Sequence, residues 1–179
     1  TLSVISAKVG TVVLVKSGTA QETAPVDYTL TGTMTIPAGL LSNTITLTAL
    51  ADLLDETNET VIVDISSATN ATSTSTPQTV TIIDNDDLPS VTLTVGNPAI
   101  NEKAGSTTVT ATLNTLSGRD VMVTLTKAGT AVEAKDYTLN STVTVLKGKI
   151  SGLVTVTAID DPTDETNETV EITISNVEN

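Results

Sequence analysis

Apolar and polar residues alternate over several short stretches of the chain. Val121-Met122-Val123-Thr124-Leu125-Thr126-Lys127 and Leu153-Val154-Thr155-Val156-Thr157-Ala158-Ile159 show the pattern, and Ser42 to Leu47 and Gln78 to Ile83 repeat it. A period of two sends successive side chains to opposite faces, which predicts strands half buried against a core. Threonine makes up about a fifth of the 179 residues. With Val, Ile and Leu it gives the β-branched texture that suits a pleated surface and disfavours helix. Ser17-Gly18, Ala128-Gly129 and Lys147-Gly148-Lys149 punctuate the runs and read as turns. Short strands at this spacing predict an all-β sandwich. Tyr28 and Tyr137 are the only aromatic residues, so each core must be thin.

The chain repeats itself. Asp55-Glu56-Thr57-Asn58-Glu59-Thr60-Val61 recurs letter for letter as Asp164-Glu165-Thr166-Asn167-Glu168-Thr169-Val170, an offset of 109 (164 − 55). Asp27-Tyr28-Thr29-Leu30 recurs as Asp136-Tyr137-Thr138-Leu139 at the same offset (136 − 27), while Gly18-Thr19-Ala20 matches Gly129-Thr130-Ala131 at 111 (129 − 18). A two-residue insertion near Gln21 to Pro25 in the first copy accounts for the difference. Such self-similarity defines two copies of one module of about sandwich size.

The copies are cut at different places. The second opens with Ser90 to Val95, Ile100-Asn101-Glu102 and a strand from Thr107 to Leu113, whereas Thr1 already aligns with Thr112. The first ends on Val80-Thr81-Ile82-Ile83-Asp84-Asn85-Asp86, for which the second has no counterpart before Asn179. The expected division is residues 1–86 and 87–179, each copy truncated at its outer end.

Charge and composition then narrow the chemistry. Eight Lys and Arg against 21 Asp and Glu give a net charge of −13, which repels nucleic-acid phosphates and anionic lipids. With no His and no Cys, the chain lacks the commonest general base, the strongest ordinary nucleophile and the usual zinc ligands. A carboxylate pair could hydrolyse a glycoside, yet two tyrosines offer little for a sugar to stack on. These observations predict a protein that is not an enzyme, binds no nucleic acid and does not insert directly into a membrane. Four Asn-x-Thr sequons, at Asn58, Asn70, Asn140 and Asn167, are expected by chance in so threonine-rich a chain.

The acidic residues fall into a recognisable order. Ile100-x-Glu102, Gly129-Thr130-Ala131 with Asp136-Tyr137, Asp160-Asp161-x-x-x-Glu165 and a strand closing on Asp84-Asn85-Asp86 together resemble the Calx-β module. That family occurs in sodium-calcium exchangers, in integrin β4 and in very large bacterial surface proteins. The resemblance covers essentially the whole chain and implies tandem seven-stranded antiparallel β-sandwiches of immunoglobulin-like architecture that bind Ca²⁺ in the loops at one end. Elementary chemistry agrees on the ion, since Ca²⁺ takes six to eight oxygen ligands and needs neither imidazole nor thiolate. Carried over by position, the resemblance implies Glu102, Asp136, Asp160, Asp161 and Glu165 as ligands in the second copy, with a backbone carbonyl near Thr163. In the first copy it implies Asp27, Asp52, Glu56, Asp84 and Asp86, with Asp87 beside them at the joint. Ala51 stands where the second copy has Asp160, so the first should hold fewer ions or hold them more weakly. Glu59 and Glu168 begin the next strand and read as solvent-facing.

The resulting expectation is a calcium-binding structural repeat pair from a large extracellular or cell-surface protein, an adhesin or matrix stalk. Calcium would stiffen the modules and the joint at Asp84 to Pro89. The rival readings are an adhesive ligand-binding module and a regulatory calcium sensor. Expected partners are neighbouring repeats of the same chain and, through unpaired strand edges in the first copy, a strand-exchange oligomer.

Overall fold

Strand pairing in the computed structural model, which describes residues 1–74 and 76–179, is antiparallel throughout its named sheets, and those residues contain no helix. The chain divides into two units. The first comprises Thr1–Asp52 and Thr57–Asp84, the second Leu53–Glu56 and Asn85–Asn179.

In the first unit the strands are β1 (Gly10–Gly18), β2 (Tyr28–Thr29), β3 (Thr33–Ile36), β4 (Thr48–Ala49), β5 (Glu59–Thr69) and β6 (Gln78–Ile82). They form a four-stranded sheet in the order β3-β1-β5-β6 and a two-stranded sheet of β2 and β4. The second unit contains β7 (Val91–Val95), β8 (Ser106–Leu113), β9 (Val121–Gly129), β10 (Tyr137–Thr138), β11 (Thr142–Val145), β12 (Ser151–Ala158) and β13 (Val170–Glu178). Here the sheets are β10-β12-β8-β7 and β11-β9-β13. Between them lies a core to which β9 and β11 contribute Val121, Val123, Leu125, Val143 and Val145, and β8 contributes Ala111 and Leu113. A second cluster at the other end holds Val109, Tyr137, Leu139 and Val156.

The repeat is visible down to single hydrogen bonds. In β5 one extra residue, Ser66, bulges against β1, and Ser175 does the same in β13 against β9. Each serine hydroxyl donates to the carbonyl opposite, Ser66 to Val13 at 3.2 Å and Ser175 to Thr124 at 3.1 Å. Gly18 and Gly129 end β1 and β9 with φ of 116° and 114°. A Cβ at either would sit 2.1 Å from the carbonyl oxygen of Thr60 or Thr169, so both conformation and space demand glycine.

One strand expected from the alternation is missing. Ser42 to Leu47 is not in a strand, although its counterpart in the second unit forms most of β12. The reason is the partner: residues 151–157 of β12 are hydrogen-bonded to β8, and among its described residues the first unit has no strand equivalent to β8. Alternation marks a face, but a strand also needs an edge to pair with. Only Thr48-Ala49 finds one, in β2. The hydrophobic core is correspondingly smaller here, with Val12, Tyr28, Ile36 and Val61 buried, while Leu40, Leu41 and Leu50 stay exposed.

Candidate metal centre

The loop before β10 is fixed by its own backbone. Asp136 Oδ2 accepts the Val132 amide at 2.6 Å, the Asp136 amide donates to the Val132 carbonyl at 2.9 Å, and Ala134 takes a positive φ of 68° to close the turn. Tyr137, buried in the core, anchors the strand that follows. After β12, Asp161 Oδ1 accepts the Thr163 amide at 2.7 Å, and the Asp161 amide approaches Glu102 Oε1 at 3.4 Å. These contacts converge three loops on one end of the second unit.

Two groups of carboxylates result. Glu102, Asp161 and Glu165 each offer an oxygen within 4.8 Å of the others, and so do Asp136, Glu165 and Glu168. Glu165 belongs to both, so five carboxylates form one continuous acidic surface. Lys135 lies against it, with Nζ 3.2 Å from Glu165 Oε1 and 3.5 Å from Asp136 Oδ1.

The protonation behaviour reflects this crowding. The Val132 amide, acting against the cost of burial and aided by Lys135, lowers the pKa of Asp136 below the ordinary carboxylate value. Burial first, and then the charge of Asp136, raise that of Glu168. Hydrogen bonding to Glu165 and the charge of Asp136 raise Lys135. The pKa of one carboxylate is thus lowered and that of its neighbour raised, as happens when like charges crowd together.

The donor set fits a hard divalent ion. Carboxylate and carbonyl oxygens on loops suit Ca²⁺, and the chain has neither imidazole nor thiolate to favour zinc or copper. Of the residues expected as ligands in this unit, Glu102, Asp136, Asp161 and Glu165 meet. Asp160 is exposed and joins neither group. Asp160 and Asp161 are adjacent in the chain, and only Asp161 falls among the converging carboxylates. Glu168 corrects the opposite expectation: although exposed, it turns toward Asp136 at the mouth of β13 instead of standing apart in solvent. The one hint in the sequence was its recurrence, as Glu59, inside the duplicated heptapeptide.

In the first unit Asp27 is buried and Oδ2 accepts the Gln21 amide at 2.6 Å, repeating the Asp136 arrangement. A carboxylate oxygen of Glu59 lies within 4.8 Å of it. Asp84 is half buried and its amide donates to Asn58 Oδ1 at 3.0 Å. Among the described residues, Asp52, Asp84, Asp86 and Asp87 enter no group of three carboxylates. Glu56 lies in the segment that groups with the second unit.

That segment carries a residue the sequence did not single out. Asp55 is 2% exposed. Its carboxylate accepts hydrogen bonds from Arg119 Nη2 at 2.6 Å, from Ser117 Oγ at 3.1 Å and from Asn179 Nδ2. The Gly118 amide donates to the Asp55 carbonyl at 2.9 Å. Burial would raise the Asp55 pKa, but these three donors and the guanidinium charge win and lower it. The available signal was Arg119, the only arginine in the chain.

Two sandwich-type units built on one repeated motif, one of them ending in an oxygen-only acidic centre, define a class of tandem ion-site β-modules. Residues 4–86 and 84–179 each match the family model for the Calx-beta domain, and the chain belongs to that family. No curated protein sequence matches it. Among solved structures it is similar to one described as the crystal structure of CBD12 from CALX1.2, at 16% identity and a TM-score of 0.39, over 96% of this chain and 69% of that one. A second, the calcium binding domain CBD12 of CALX1.1, is 18% identical with a TM-score of 0.37, over 93% and 68% of the two chains.

Proposed function

We propose that this chain is a pair of calcium-binding structural modules, and that Glu102, Asp136, Asp161, Glu165 and Glu168 hold the ions in the second unit. The observation that carries the reading is the sharing of Glu165 between two carboxylate groups. Bound calcium would supply positive charge to a surface whose carboxylates otherwise repel one another, by about 1 to 4 kcal/mol for each close pair at effective dielectrics between water and a protein surface. The chain's own residues do the positioning: Val132 aims Asp136, Thr163 aims Asp161, and Lys135 is the cation that calcium must displace.

The setting we propose is a large extracellular or cell-surface protein, an adhesin or matrix stalk. A cysteine-free, strongly acidic, threonine-rich β-protein suits a compartment where calcium takes the place of disulfides. Asp84, Asp86 and Asp87, next to Leu88-Pro89 in the stretch between β6 and β7, make the joint a second place for calcium to act. Small-angle scattering with calcium and then with chelator tests this, and an unchanged distance distribution confines calcium to the modules. The central experiment is a thermal melt with and without millimolar Ca²⁺. Glu165→Gln should remove most of the calcium-induced shift because it disables both groups, whereas Asp160→Asn should leave it intact. Equal responses from both variants would refute the assignment.

A further inference from the structure

Asp55 occupies a socket made by Ser117, Arg119 and Asn179, with Gly118 beneath it. Extended across this socket, the repeat gives Ser6 for Ser117, Ala7 for Gly118 and Lys8 for Arg119, at the offset of 111 that relates Thr1 to Thr112 (117 − 6). At the offset of 109 it gives Asn70 for Asn179 (179 − 70). Each polar side chain of the socket therefore has a counterpart of the same kind in the first unit.

The backbone is set in the same way at both places. The Lys8 amide donates to Ser6 Oγ at 3.0 Å, as the Arg119 amide does to Ser117 Oγ at 3.0 Å. The Gly39 amide donates to the Ser6 carbonyl at 2.8 Å, as the Gly148 amide does to that of Ser117 at 2.8 Å. Asn70 Nδ2 donates to the Val9 carbonyl at 2.8 Å, which leaves the second amide hydrogen for another acceptor. The counterpart of Asp55 is Asp164 (164 − 55 = 109), in the identical heptapeptide, and it is exposed where Asp55 is buried. The chain thus holds one filled socket, one preformed second socket and one exposed plug.

We propose that Ser6, Lys8 and Asn70 form a docking site for Asp164 of a second copy of this chain. The Asp164 carboxylate would accept from Lys8 Nζ, Ser6 Oγ and Asn70 Nδ2, and its carbonyl from the Ala7 amide, as Asp55 does in the second unit. Two differences make this contact the weaker one. Lysine lacks the planar fork with which arginine grips a carboxylate. A Cβ at Gly118 would lie 2.6 Å from Glu56 Cγ, so at the equivalent place the Ala7 methyl obliges the incoming Glu165 side chain to swing aside.

The differences also supply the test. Ala7→Gly with Lys8→Arg converts the second socket into the first and should strengthen self-association at least tenfold by sedimentation equilibrium at low salt, in calcium and in chelator. Asp164→Asn should weaken association at least tenfold in the parent and reverse the gain in the converted chain. Circular dichroism confirms that each variant is folded. In the parent, a carbodiimide should join the Lys8 amine to the Asp164 carboxyl, and a mixture of ¹⁴N- and ¹⁵N-labelled chains should give cross-linked peptides of mixed label. Association unaffected by Asp164→Asn in both buffers, no gain in the converted chain, or cross-links of unmixed label only would overturn the proposal.

Discussion

Replacing Asp55 by alanine removes the acceptor of three side-chain hydrogen bonds and half of a buried ion pair. Asp55 is 2% exposed, whereas the Arg119 side chain is 29% exposed and keeps part of its hydration when its partner is lost. The expected cost is therefore about 2 to 4 kcal/mol, just below the ~3 to 5 kcal/mol seen when a fully buried pair is broken. For a unit of roughly a hundred residues that lowers the melting temperature by about 10 to 20 °C. Tyr28→Phe leaves Tyr137 as the only tyrosine, so tyrosine fluorescence then follows the second unit alone. A double-mutant cycle of Asp55→Ala and Arg119→Ala should give a coupling of about 1 kcal/mol or more. The pH dependence has a definite sign. The folded pKa of Asp55 lies below its ordinary value of 3.8, so the stabilisation is complete well above that value and is lost as pH falls through the folded pKa. The Asp55→Ala variant should lose less stability than the parent over that acid range. A coupling under about 0.5 kcal/mol, or parallel acid profiles for parent and variant, would refute the reasoning.

Other outcomes follow from features already described. Calcium at about a hundred times its dissociation constant should stabilise the second unit by about 2.7 kcal/mol, and Glu168→Gln should reduce that gain, read by the same melt. Gly129→Ala should cost more than the ~1 kcal/mol of an ordinary glycine replacement, because φ is 114° and the methyl would meet the Thr169 carbonyl at 2.1 Å; a denaturant melt checks it. Strands equivalent to β7 and β8 fused ahead of Thr1 should order Ser42 to Leu47, slow its amide exchange and suppress any strand-exchanged oligomer of the first unit. Unchanged exchange there would mean that pairing is not what the segment lacks.

Much of this was readable from the order of residues, for reasons that differ by element. Alternation at Val121 to Lys127 and Leu153 to Ile159 marks β9 and β12 because both faces of those strands have fixed environments, one against the core and one against solvent. The same alternation at Ser42 to Leu47 misleads, because pairing depends on a strand that lies elsewhere in sequence. Glu102, Asp136, Asp161 and Glu165 could be named because turns hold acidic residues at places fixed by the neighbouring strands. Asp160 and Glu168 could not be sorted, since adjacent loop residues and strand mouths point by local geometry that residue type does not encode. Asp55 was the least legible: in sequence it is one more acidic turn residue, and only contact with Arg119, 64 positions away, distinguishes it.

The placement of Leu53–Glu56 in the second unit makes that unit discontinuous in the chain. Boundaries drawn by the repeat, and a protease or a designer who follows them, would yield residues 87–179 as a module missing one of its own interior residues. Such a fragment would keep every strand from β7 to β13 yet leave Arg119, whose Nε has no hydrogen-bond partner among the described residues, without its counter-charge. During synthesis the ribosome delivers residue 55 before any strand of the second unit, so this interior position is made first and must wait for the residues that enclose it.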